Sequence, residues 1–144
     1  MSGQYRRYTK LLESNRMSKS SYEGLQKKIR GLKTPKIDVW QNQYPDKEEM
    51  VCLETNELTC ICPKTGLPDF ADITIHYIPN KLCVELKSFK LYLHCFRNVG
   101  IFHEHLTNKI LDDFVKACKP RFARIEITMN IRGGIKTTVT AEHK

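Results

Sequence analysis

Long apolar runs are missing from this sequence. No stretch approaches the roughly 20 residues that a membrane-crossing helix needs, so no membrane association is expected. Met1 to Arg16 is polar and basic and lacks the apolar core of a secretory signal, which leads to the expectation of a cytoplasmic protein. Metal-ligand spacings are also scarce. Cys60-Ile61-Cys62 stands alone, without a second Cys-x-x-Cys or a His-x-x-x-His partner pair, so no metal site is expected. Internal repeats and low-complexity tracts are absent. The six cysteines, in a chain expected to stay inside the cell, do not read as a disulfide framework. Most are expected as small buried hydrophobes.

Acidic residues are scarce at one end only. Residues 1–36 hold ten Lys/Arg against two acids, which accounts for the whole net charge of +8. Residues 37–144 carry fourteen of each sign. The basicity therefore belongs to a leader, expected as a solvated or surface-lying arm, and the body is neutral. The chain of 144 residues suits one domain, placed at 37–144 after a basic N-terminal arm at 1–36. A short helix is expected around Tyr22–Ile29, and order begins near Trp40. The arm is the feature that would support an RNA-binding module. No direct nucleic-acid contact is expected of the domain itself.

Periodicity supplies the elements. Glu48–Thr55 and Ala71–Tyr77 alternate as strands, the second with Ala71, Ile73, Ile75 and Tyr77 on one face. The stretch between them, Cys62–Asp69, holds two prolines and a glycine and reads as a turn-rich loop. Phe89–Phe96 is expected as a first helix. Leu106, Ile110, Leu111, Phe114, Val115 and Cys118 recur at helical spacing, which predicts a helix over His103–Lys119, ended by Pro120. Ala123, Ile125, Ile127, Met129 and Ile131 alternate as a strand. Gly133-Gly134 is a hairpin turn, and Ile135–Ala141 is the return strand. The order is strand, strand, helix, helix, strand, strand.

Several residues carry possible chemistry. Cys62 lies in a polar loop with Lys64, Thr65 and Asp69, and a loop thiol near a cation can be held as the nucleophilic thiolate. Asp69, seven residues on, would supply a proton to an electrophile under attack. On spacing alone, a structural cysteine in a turn remains the favoured reading. Lys87 and Lys90, three apart, share a helical face and suit a phosphate, or form a solvated face. Glu104 either complements the helix dipole or accepts two hydrogen bonds from a guanine-like edge.

Taken together, the motifs resemble the NADPH-dependent 7-cyano-7-deazaguanine reductases of queuosine biosynthesis. Cys62-Pro63-Lys64-Thr65-Gly66-Leu67-Pro68-Asp69 matches that family's Cys-Pro-x-Thr-Gly-x-Pro-Asp loop, and Glu85–Tyr92 matches its cofactor motif. Phe96-Arg97-Asn98 and Phe102-His103-Glu104 match two further signatures. Val99 and Leu67 depart from the common His and Gln. The resemblance covers about residues 45–140. It implies an α+β tunnelling fold, with an antiparallel four-stranded sheet and two helices, that oligomerises into a barrel-like ring with sites at subunit interfaces. It implies that Cys62 adds to the nitrile of 7-cyano-7-deazaguanine to form a thioimide, that Asp69 handles protons, and that NADPH delivers two hydrides in turn. His103 and Glu104 would hold the substrate, with Glu85 and the adjacent Val84 and Leu86 lining the pocket. Lys87 and Lys90 would meet the NADPH phosphates, with Arg132 as a third contact. Two rivals share the scaffold: an ammonia-adding enzyme, which need not keep the lysines, and a zinc cyclohydrolase, which needs a Cys/His set not found here.

Overall fold

The computed structural model describes residues 29–144. The helix expected around Tyr22–Ile29 falls almost wholly outside them. Ile29 and Ile37 are buried in the core, so packing begins N-terminal of Trp40, itself exposed.

Four antiparallel strands make the main sheet, in the order β2 (Val51–Ile61), β3 (Pro68–Ile78), β5 (Phe122–Met129), β6 (Thr138–His143). A ribbon of β1 (Val39–Gln41) with β4 (Leu82–Val84) stands beside it. Between β4 and β5 run α1 (Leu86–His94), a 3-10 turn (Cys95–Asn98) and α2 (His103–Cys118). The strand, strand, helix, helix, strand, strand order is present, with the short ribbon added. Inward side chains of β3 and β5 form the floor of the core. Ile73, Ile75, Ile125 and Ile127 from the sheet, and Leu106, Ile110 and Phe114 from α2, are all almost wholly buried. Phe114 meets Tyr77 and Phe89 edge-on, with centroids 5.0 and 5.8 Å apart.

One irregularity shapes the site. β2 runs six residues past Thr55, because a bulge lies between Thr55 and Leu58. Thr55 pairs with Ile73 and Leu58 with Ala71, so β2 carries one extra residue there. The extra residue reverses which side chains face the core. Val51 and Leu53 point inward before it, and Leu58 and Cys60 after it, both fully buried. Cys62 thus continues the parity of the core residues.

The helices begin and end for local reasons. α1 starts at Leu86, three residues before the expected Phe89, because Glu85 caps it: its carboxylate accepts from Lys87 N at 2.9 Å and Ser88 N at 2.7 Å. α2 ends at Cys118, with Lys119 in the left-handed conformation at φ 47° just before Pro120. β5 stops at Met129 rather than Ile131. The chain then turns tightly at Gly133 and Gly134, at φ 57° and 76°. Arg132 and Ile135 exchange both backbone hydrogen bonds across that turn, as a two-residue primed hairpin requires.

Candidate active site

The hairpin joining β2 to β3 holds the loop Cys62–Leu67. It is closed by Cys62 N donating to the Leu67 carbonyl and Gly66 N to the Cys62 carbonyl, both at 2.9 Å. Gly66 has φ 69°, where a side chain would strain the backbone. Ile61 anchors the end of β2 to the segment before α2. Its N–H donates to the Val99 carbonyl at 2.9 Å, and its carbonyl accepts from Ile101 N at 3.1 Å. That pairing brings the Cys62 loop beside His103 at the start of α2.

Two nearby thiols differ sharply. Cys60 is buried, and burial, with help from Asp69 and Cys62, pushes its thiol up to about 12. Cys62 is half-buried. Burial acts to raise it, but the Thr65 hydroxyl and the Thr65 and Lys64 backbone groups together outweigh burial, and the thiol sits below its ordinary value. Of the two, Cys62 is the nucleophile candidate.

Asp69 lies directly across from Cys60 in the β2–β3 register and shares its inward parity. Its carboxylate is 3 % exposed. One oxygen stands 3.2 Å from His103 Nε2, and the other accepts from Arg132 Nη1. Cys62, Asp69, His103 and Arg132 thus come together from the β2–β3 hairpin, the start of α2 and the β5–β6 hairpin. The family resemblance implies Arg132 as a third phosphate contact beside the lysines; in this structure its side chain meets Asp69. Glu104 is exposed in the first turn of α2, next to His103.

The residues around the start of α1 form a second group. Glu85 is occupied as the helix cap, and the Ser88 and Lys87 N–H groups hold its carboxyl below the usual range. Val84 is buried, and its N–H donates to the Tyr77 hydroxyl at 3.2 Å. Leu86 is exposed. Lys87 and Lys90 are exposed on α1, and Lys90 stands 4.0 Å from Glu57 in a loose surface pair. Two exposed ammonium groups three residues apart fit the phosphates of a nucleotide. A cleft of about 520 Å³ between β2 and α1 is lined by Lys90, Leu86, Phe89 and Glu57, among others. Cys62 and Asp69 are not among its walls. Sequence reasoning missed the part played by Thr65. A hydroxyl three residues after a loop cysteine, ahead of a glycine turn, is the signal that would have found it.

Comparison with known proteins places these motifs in context. A family described as QueF-like protein matches residues 68–144. The NADPH-dependent 7-cyano-7-deazaguanine reductase of Chloroherpeton thalassium is 54% identical over 113 residues, covering 78% of this chain and 97% of that protein. The enzyme of the same name from Chlorobaculum tepidum is 51% identical over 107 residues, covering 74% and 92%. In fold, the chain is similar to the crystal structure of the archaeosine synthase QueF-Like in the apo form, at a TM-score of 0.62 and 24% identity, over 67% of this chain and 94% of that one.

Proposed function

The chain belongs to the QueF-like family of NADPH-dependent 7-cyano-7-deazaguanine reductases, and we propose that it reduces the nitrile of 7-cyano-7-deazaguanine to 7-aminomethyl-7-deazaguanine in queuosine biosynthesis. One observation carries the reading: a loop thiol held below its ordinary value shares a hairpin with a buried carboxylate.

The steps follow from the side chains present. The Cys62 thiolate attacks the nitrile carbon. As the sulfur–carbon bond forms, one π pair of the nitrile moves to nitrogen, which takes a proton from Asp69. His103 and Arg132 hold the Asp69 carboxylate in place. Glu104, exposed beside His103, accepts hydrogen bonds from the guanine-like edge of the substrate. Lys87 and Lys90 hold the phosphates of NADPH, which when bound supplies the hydrides for both reductions. His103 joins Glu104 in holding the deazaguanine, with Val84, Glu85 and Leu86 lining the same pocket, and the Glu85 cap fixes the β4–α1 turn that presents those lysines.

Among the described residues, β6 and the part of β2 before Ile61 each leave one edge of the sheet without a strand partner. We take these edges to join copies into a closed homo-oligomeric ring, with sites completed at subunit interfaces. We take the protein to act in the cytoplasm, with a basic leader whose C-terminal end, at Ile29 and Leu32, packs onto the catalytic domain. The direct test is NADPH consumption on mixing the protein with 7-cyano-7-deazaguanine. Steady oxidation with aminomethyl product is expected. Absence of nitrile-dependent oxidation would overturn the reading.

A further inference from the structure

The bulge in β2 does more than change which side chains face the core. The bulged segment forms one wall of the cleft between β2 and α1 and puts two carboxylates there, Glu54 and Glu57. Lys90 and His94 of α1 stand on the other wall. Carboxylates are the reverse of what a phosphate would select, and yet one of them reaches the cation. An extra residue re-aims the side chains beside it. Here the Glu57 N–H donates to the Thr55 hydroxyl at 3.2 Å within the bulge, and the Glu57 carboxylate stands 4.0 Å from the Lys90 ammonium. The two side chains are 62% and 64% exposed, so water competes for both and the pair is easily parted.

We propose that Glu57 sets how tightly the nucleotide is held: it competes with a cofactor phosphate for Lys90, and so lets the spent nucleotide leave between the two hydride transfers. The inference rests on the reading of Lys90 as a phosphate contact and of two hydrides delivered in turn. After the first transfer, NADP+ must depart and a second NADPH must bind while the half-reduced substrate stays in place. A site made of cations alone would hold the spent nucleotide much as firmly as the fresh one, because both carry the same phosphates. A carboxylate beside Lys90 repels the bound phosphate and gives the ammonium a partner as the phosphate leaves.

The test uses the full chain with saturating 7-cyano-7-deazaguanine at low ionic strength, varying NADPH and adding NADP+ as inhibitor. Glu57→Gln should lower both the Michaelis constant for NADPH and the inhibition constant for NADP+ by roughly two- to fivefold, the range an exposed ion pair spans. Both gains should fade at about 1 M salt, where screening reaches roughly 3 Å. In a Lys90→Ala background the same substitution should change either constant far less, because the competed cation is gone. Constants that Glu57→Gln leaves at wild-type values, or a gain that is equal with and without Lys90, would overturn the inference; if Lys90→Ala alone still raises the Michaelis constant, the functional reading stands. A Lys90→Ala variant with the wild-type Michaelis constant for NADPH would overturn the phosphate assignment and this inference with it. A wild type that oxidises no NADPH with the nitrile would overturn the functional reading itself.

Discussion

Cys62 and Cys60 are two residues apart and differ in every property that decides reactivity. The loop lowers one thiol through Thr65 and the Lys64–Thr65 backbone; the core raises the other to about 12. A low thiol reaches its thiolate at lower pH, so alkylation followed by peptide mapping should label Cys62 well before Cys60 as pH rises. Thr65→Val removes the hydroxyl and should shift the Cys62 labelling midpoint upward; an unmoved midpoint would assign the lowering to the backbone alone. Glu104 permits a separate check. Glu104→Gln turns one acceptor into a donor facing a ring donor, a mismatch on the order of 1–3 kcal/mol when the substrate buries it. Substrate affinity in calorimetry should fall about tenfold or more, and unchanged affinity would mark Glu104 as a helix-start carboxylate only. The motif residues were legible in the sequence because they follow one another along the chain. The Asp69–Arg132 contact was not, because the partners are 63 residues apart and meet only through strand register and a hairpin.

At the scale of elements, regular alternation was easy to read and its interruptions were not. β3 and β5 keep one parity throughout, so their inward faces were read correctly, apart from the frayed end at Ile131. β2 changes parity at its bulge, and the alternation seemed to end at Thr55 although the strand continues to Ile61. β1 and β4 are three residues each, too short for a period to show. α1 was placed late because its cap is a glutamate rather than the usual Ser, Thr, Asp or Asn. That cap has a pH consequence. The folded state holds the Glu85 carboxyl below its unfolded value, so its contribution is present near neutrality and is lost as pH falls through the folded value. Glu85→Gln should lower the melting temperature at neutral pH and narrow its gap to wild type in acid. A constant gap would show that the cap's charge is not the source. The glycine hairpin is a second fixed point. Gly133→Ala forces a side chain into the left-handed region, a cost of roughly 1–2 kcal/mol seen in denaturant unfolding. No loss of stability would mean that the turn rearranges freely.

The whole molecule is a neutral body preceded by a basic leader. Among the described residues, no helix is long and apolar enough to cross a membrane. If Lys87 and Lys90 serve the nucleotide, the Michaelis constant for NADPH should rise with ionic strength more steeply than that for the uncharged nitrile. Lys87→Ala and Lys90→Ala should weaken NADPH use while leaving adduct formation intact. Equal salt dependence for both substrates would assign the lysines to a solvated face. The central claim, that Cys62 bonds covalently to the substrate, has the most direct test. Wild-type protein is mixed with 7-cyano-7-deazaguanine in the absence of NADPH, and its intact mass and peptide map are measured. A gain of one substrate mass located on Cys62, lost in Cys62→Ala, is the predicted result; no mass gain, or an adduct on Cys60, would contradict the account.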